Sequence, residues 1–138
     1  LNEFILENYN ENFVKSELRN PANIYHLLYY NEDLVGFSKI ILNLPYKDGV
    51  DNNMTKLQKI FILKKVYDLK LGVQLFTYNL NLIKKHHQAG VWLFVWKENE
   101  RAIKFYTRNG FKIIGSHDFK ISETHTNPNH IMFLDLTR

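Results

Sequence analysis

Apolar and polar positions along the 138-residue chain change period several times, and each change marks an element. Phe4, Ile5, Phe13, Val14 and Leu18 punctuate the first twenty residues without strand alternation, which predicts one or two short amphipathic helices ending near Asn20-Pro21. Residues 24–30 and 34–44 are rich in aromatic and β-branched side chains, and Asn31-Glu32-Asp33 between them predicts a hairpin turn. Residues 45–54 carry Pro, Gly, Asp and Asn and read as a loop. A strand follows over residues 56–63, then a polar segment up to Gly72. Val73, Phe76, Leu80 and Ile83 recur at helical spacing, with Leu75 and Leu82 widening the stripe, so a helix is predicted over residues 73–87, stopped by Ala89-Gly90.

Residues 91–96 are apolar at every position, the pattern of a strand covered on both faces. Asn99 is placed to cap a helix over residues 100–108, which Asn109-Gly110 ends. Residues 111–114 and 131–136 read as closing strands, separated by a polar loop that contains residues 124–129. Taken in order, these elements predict an α/β fold: a mixed central sheet flanked by helices, parallel in the middle and antiparallel at its ends. No internal repeat divides the chain, so residues 1–138 form a single domain.

Composition narrows the classes that remain. With 45% hydrophobic and 23% charged residues the chain is an ordinary globular protein, long enough for one core. It has no cysteine, which excludes a disulfide framework, a thiolate zinc site and a cysteine nucleophile of its own, and suits the reducing cytoplasm. No run approaches eighteen apolar residues, so no membrane partner is expected. The net charge of +4 and pI near 9.2 fit scattered solvated Lys and Arg, and would also suit attraction to a polyanion such as a phosphorylated cofactor. No arginine-rich run or RNA-binding aromatic signature is present, so nucleic acid is not an expected partner. The chain opens on Leu1 and is read as processed or as a piece of a longer polypeptide.

The chemistry concentrates in residues 90–111. Asn99 and Tyr106 lie seven residues apart, about two turns and roughly 10 Å along one helix face, with Ala102 and Ile103 between them. A small residue there lets an extended ligand lie close to the helix. An amide can hold carbonyl or amide groups, and a phenol can donate a proton. Taken singly, Asn99 reads as a helix cap and Tyr106 as a half-buried core residue.

Together with the preceding strand, the run Gly90-Val91-Trp92-Leu93-Phe94-Val95-Trp96, then Asn99-Glu100-Arg101-Ala102-Ile103-Lys104-Phe105-Tyr106, then Gly110-Phe111 resembles the second half of the GNAT superfamily of N-acetyltransferases. Members of that family show a strand, then Asn-x-x-Ala-x-x-x-Tyr on a helix, then Gly-Phe opening the next strand. The resemblance covers about residues 23–136. It implies a GNAT-like acyl-CoA N-acyltransferase fold whose initial strand is missing here, the domain being incomplete at its N-terminus. It also implies an acetyl-CoA-dependent N-acetyltransferase, with acetyl-CoA as co-substrate, a primary amine attacking it directly in a ternary complex, and no metal. On that footing Asn99 and Ala102 position the cofactor, and Tyr106 both contacts it and serves as general acid to the departing thiolate.

Leu57-Gln58-Lys59-Ile60-Phe61-Ile62-Leu63 and the segment up to Leu71-Gly72-Val73 resemble the family's strand, pyrophosphate loop and helix. The usual loop reads Gln/Arg-x-x-Gly-x-Gly/Ala, whose backbone N–H groups hold phosphates at a helix N-terminus. Aligned on Gly72, this chain has Tyr67 at the Gln/Arg position and Lys70 at a glycine position. Cofactor contacts are thereby implied for Phe61, Ile62, Tyr67, Lys70, Leu71, Gly72 and Val73. Lys64, Lys65 and Lys70 supply charge that Asp68 opposes, and Lys70 must take whatever backbone angle the loop demands.

No base for the amine is evident. Many relatives place a Glu where this chain has Gln58, whose amide either orients water or the acceptor amine or simply bonds its strand neighbours. His26 lies in an apolar strand and reads as a core residue; His86-His87 should face solvent at a helix end. His117, His125 and His130 flank the late loop, where residues 125–130 could line an acceptor pocket; His125 and His130 lack further ligands for a metal.

Residues 112–136, with Asp118-Phe119, Ser122 and Asn127-Pro128-Asn129-His130, resemble the family branch related to polyamine acetyltransferases. This implies a polyamine or another small amine as acceptor, with Glu32, Asp33, Asp118 and Glu123 as candidate acidic walls. Family members commonly dimerise, so a homodimer is a further expectation. The rival readings are a non-catalytic acyl-CoA-binding or sensing module and an acetyltransferase for protein N-termini or lysines.

Overall fold

The computed structural model describes residues 11–137. Residues 1–10, where the first of the expected helices and the question of an initial strand fall, lie outside the described part. Helix α1 (Glu11–Leu18) leads into strands β1 (Asn23–Tyr30) and β2 (Asp33–Ile41). Asn31 and Glu32 join them with φ of 49° and 70°, and positive φ at both central residues is what a two-residue type I′ hairpin requires. β3 (Met54–Ile62) is followed by a 3₁₀ segment (Lys64–Leu69), helix α2 (Leu71–Lys85), strand β4 (Gly90–Trp96), helix α3 (Glu100–Arg108), β5 (Lys112–Lys120) and β6 (Thr126–Asp135).

The six strands form one sheet in the order β1-β2-β3-β4-β6-β5. β3 and β4 are parallel and the other pairs antiparallel, as the alternation of elements predicts. Helices α2 and α3 cover one face: Phe76 and Ile83 of α2 and Tyr106 of α3 share a core with Ile40, Leu57, Val91, Leu93, Val95 and Met132. The six buried positions that these strands contribute stabilise the fold by roughly 1.5–3 kcal/mol each relative to exposure. α1 is tied to the sheet through Glu17, which accepts from Asn23 Nδ2 at 2.8 Å and pairs with the buried Lys39 of β2.

The last two strands are longer than expected. β5 continues through Gly115-Ser116-His117-Asp118, and β6 begins at Thr126, inside the stretch read as a loop. β5 is an edge strand exposed at almost every position, so it carries no apolar alternation to read; its backbone ladder to β6, from Lys112↔Phe133 to Lys120↔Thr126, defines it. α2 also starts two residues earlier and ends two earlier than the apolar stripe suggests. Its C-cap is His86, and His87 turns the chain at φ 56°.

The pairing of β3 with β4 shapes the cavity beside them. β3 and β4 are paired at only three places: Met54↔Gly90, Thr55↔Val91 and Lys56↔Trp92. Beyond Lys56 the two parallel strands separate, each still bonded to its outer neighbour, and a wedge opens at their C-terminal ends. A bulge in β3 lies just past this point: Lys39 pairs with Lys59 and Ile40 with Leu57, leaving Gln58 as the extra residue.

Candidate active site

Parallel strands that part at their C-terminal ends leave a crevice into which the following helices direct their N-termini. Here a cavity of about 750 Å³ lies on the helix side of the wedge. Its lining comes from β3 (Ile60, Ile62), the 3₁₀ loop (Tyr67), the start of α2 (Lys70, Gly72, Val73) and α3 with its ends (Asn99, Arg101, Ala102, Phe105, Tyr106, Arg108, Asn109).

Lys70 caps α2 in the left-handed conformation, φ 58° and ψ 28°. This is the backbone geometry that glycine supplies without strain, and Lys accepts it here at a cost of about 1–2 kcal/mol. Gly72, by contrast, has no such need: a Cβ on it would meet Ile62 and Phe105 only at 3.9 Å. No side chain caps the first turn of α2, so the N–H groups of Leu71, Gly72 and Val73 remain for an outside acceptor. With the partial positive charge of a 15-residue helix behind them, they suit phosphate.

Arg101 extends from the first turn of α3 and lies over the Tyr67 ring, 3.6 Å from its centroid. Lys70, Arg101 and Arg108 make the cavity cationic, and no carboxylate among the described residues lines it. The Asn99 side chain accepts the Ala102 N–H at 3.2 Å, so it is a true helix cap; its NH₂ remains available at the cavity.

Tyr106 is 9% exposed and packs between Phe105 and Phe111, ring centroids 5.5 and 5.4 Å away. Burial pushes its pKa from 10.0 up to about 12, so the phenol stays protonated at any physiological pH. Its hydroxyl has no hydrogen-bond partner among the described residues, and none of their fully buried side-chain polar atoms lacks one. The hydroxyl therefore reaches the cavity that Tyr106 lines.

A profile of the acetyltransferase (GNAT) family matches residues 2–111. The chain belongs to the acetyltransferase (GNAT) family. It is 25% identical over 121 residues to an uncharacterized N-acetyltransferase of Lactobacillus delbrueckii subsp. lactis, an alignment covering 88% of this chain and 70% of that one. It is 30% identical over 93 residues to the spermine/spermidine N(1)-acetyltransferase of Bacillus subtilis, covering 67% of this chain and 61% of that one. The fold is shared with the PaiA N-acetyltransferase of Thermoplasma acidophilum, solved in complex with coenzyme A: TM-score 0.70, 20% identity, 97% of this chain and 76% of that one.

Within this GNAT domain the structure brings Ile62, Tyr67, Lys70, Gly72, Val73, Asn99, Ala102 and Tyr106 to one cavity. The side chains of three other residues singled out from the sequence lie elsewhere. Leu71 is buried in a small cluster with Val35 and Val66, Phe61 stacks on Phe37 at 5.9 Å, and Gln58 is exposed at the bulge. Ile60, at the start of the stretch expected to orient the cofactor through its backbone, also lines the cavity, and Arg101, Phe105, Arg108 and Asn109 line it without having been singled out. The helical spacing that relates Asn99 to Tyr106 also brings Phe105 and Asn109 toward that face, whereas nothing local links Arg101 to Tyr67.

The histidines divide as their surroundings dictate. His26 Nδ1 bonds Asn79 Oδ1 at 3.0 Å inside the domain. His86 and His87 are exposed, and His125 contacts Thr124 Oγ1 at 2.9 Å. Among the described residues, no three of His, Cys, Asp and Glu cluster as metal ligands. Glu123 pairs loosely with Lys120 at 3.8 Å, and neither it, Glu32, Asp33 nor Asp118 lines the cavity.

Proposed function

We propose that this protein transfers an acetyl group from acetyl-CoA to a primary amine by direct attack. The observation that carries the reading is the cavity at the parting of β3 and β4, where an uncapped helix N-terminus and three cationic side chains meet a protonated phenol. The N–H groups of Leu71, Gly72 and Val73, with Lys70 and Arg101, suit the phosphates of coenzyme A. Ala102 leaves room beside α3 for the pantetheine arm, and Asn99 offers it an amide.

Attack of the neutral amine forms a C–N bond as the thioester C–S bond breaks, and sulfur leaves as a thiolate. Tyr106 donates its O–H to that sulfur. A phenol near pKa 12 is a weaker acid than a thiol of about 8.5, so its role is to hold the developing negative charge through a strong hydrogen bond. The proton lost by the amine balances the one the thiolate finally gains. Among the described residues no carboxylate lines the cavity, and in this reading water carries that proton away.

A second reading, a non-catalytic acyl-CoA sensor, is supported by Gln58 in the strand where many relatives carry Glu and by Lys70 at a glycine position of the loop. Calorimetry with acetyl-CoA and thiol release across polyamines, amino acids and peptides with free N-termini or lysines separate the two. Saturable thiol release with any amine supports transfer; binding without release at any pH supports the sensor. Polyamines enter the panel through the name of the B. subtilis relative, and peptides test protein acceptors.

A further inference from the structure

The face of the sheet turned away from α2 and α3 carries a second constellation. Side chains alternate along each strand, so Lys39, Lys56, Trp92 and Phe94 fall opposite the core positions Ile40, Leu57, Val91 and Leu93. Lys56 and Trp92 are the last paired residues before the wedge opens. The Lys56 ammonium lies 5.2 Å from the Trp92 ring centroid and 5.1 Å from that of Phe94. From there the rings continue outward: Trp92 to Phe94 at 5.2 Å, Phe94 to Phe119 at 5.0 Å, and His117 against both Phe94 and Phe119 at 5.4 and 4.5 Å. Phe119 and Trp96 reach solvent. Trp92 is buried, with its ring 6.3 Å from that of Tyr46, so the ring surface open beside the Lys56 cation is that of the half-buried Phe94 and the exposed Phe119.

That cation is unmatched. Glu17 pairs with the neighbouring Lys39, whereas Lys56 has no carboxylate partner among the described residues. Its burial, and then the Lys39 charge, lower its pKa, while the two ring faces favour the ammonium. A partly buried cation beside a second one is stabilised by an anion brought from outside.

We propose, resting on the acetyl-transfer reading above, that the acceptor is a small amine that also bears a carboxylate and an aromatic side chain. Lys56 takes the carboxylate and the rings of Phe94 and Phe119 take the side chain. The amino group lies in the gap between β3 and β4, facing the thioester from the side opposite α2. Its nitrogen forms the C–N bond as C–S breaks, as above. An aromatic amino acid has this chemistry. A polyamine carries several cations and no anion, and Lys56 and Lys39 repel it.

The test compares phenylalanine, phenylalaninamide and spermidine as acceptors for the wild type, K56Q and K56R. The wild type is expected to favour phenylalanine over its amide by about tenfold or more in kcat/KM, with spermidine poorest. K56Q is expected to bring the acid-to-amide ratio near one through KM, and K56R to restore much of it. Preference for spermidine, or equal loss for acid and amide in K56Q, overturns the proposal. If acetyl-CoA binds but no amine releases thiol, the transfer reading falls, and binding still decides the acceptor site. Trp92 and Trp96 are the chain's two tryptophans, so N-acetylphenylalanine should quench intrinsic fluorescence saturably in the wild type and not in K56Q. No saturable change in the wild type refutes the site.

Discussion

The guanidinium carbon of Arg101 stands 3.6 Å from the centroid of the Tyr67 ring, joining the first turn of α3 to the loop before α2. In the proposed reading Tyr67 stands where the family's phosphate loop usually carries Gln or Arg, and the stacked arginine supplies a cation there from another element. Planar stacking pre-organises the guanidinium for bidentate phosphate contact. Arg101→Ala is expected to weaken acetyl-CoA binding about tenfold by calorimetry, and Tyr67→Ala to do so less. Neither should weaken binding of acetyl-pantetheine, which has no phosphate. An equal loss for both ligands would show that the stack serves folding.

Lys70 carries charge in a conformation that suits glycine. Lys70→Gly is expected to raise stability in urea unfolding by about 1 kcal/mol through relief of the left-handed strain. Lys70→Ala removes the same charge without that relief and gains no stability. Both variants should bind acetyl-CoA more weakly, and more so at low salt, where phosphate attraction is least screened. A Lys70→Gly protein no more stable than Lys70→Ala would contradict the strain.

Tyr106→Phe keeps the ring packing against Phe105 and Phe111 and removes only the hydroxyl. Turnover should fall by about a hundredfold with acetyl-CoA affinity changed less than threefold. Unchanged turnover would remove Tyr106 from the chemistry.

The raised pKa of Tyr106 also has a consequence for stability. Its folded value, about 12, lies above the unfolded 10.0, so above pH 10 the unfolded chain releases a proton that the folded chain keeps. Stability due to this group is fully present below pH 10 and is lost as pH rises toward 12, by on the order of 2–3 kcal/mol. Urea midpoints between pH 9 and 11 should fall less steeply for Tyr106→Phe than for the wild type.

Asn79 is almost wholly buried under the sheet. It donates to Ser38 Oγ and Leu75 O, both at 2.9 Å, and meets His26 at 3.0 Å. Asn79→Ala should cost about 1–3 kcal/mol in urea unfolding, because the buried Ser38 then loses its partner inside the core and the half-buried His26 loses its own. A cost under about 0.5 kcal/mol would mean that water replaces the amide.

The β2–β3–α2–β4–α3 series was legible because its signals are local. Helix α3 announces itself by Asn99 at its cap and the spacing of Ala102 to Tyr106, β4 by an unbroken apolar run, and the first hairpin by Asn31-Glu32. β5 and the start of β6 were not legible beyond Ile114 and before Ile131. Edge position and exposure leave their side chains free to be polar, so only the partner strand's backbone defines them.

The sequence by itself determined the family, the order of elements, and most of the residues that line the cavity, since these depend on spacing within single helices and turns. Tertiary structure alone decided where β3 and β4 part and that Arg101 reaches Tyr67. It also decided that Lys56 lies beside Trp92 and Phe94, with no carboxylate partner among the described residues. Each of these joins residues far apart in the chain, through strand register and side-chain burial. No local pattern encodes such contacts, because their energy is gained only once the sheet has brought the strands together.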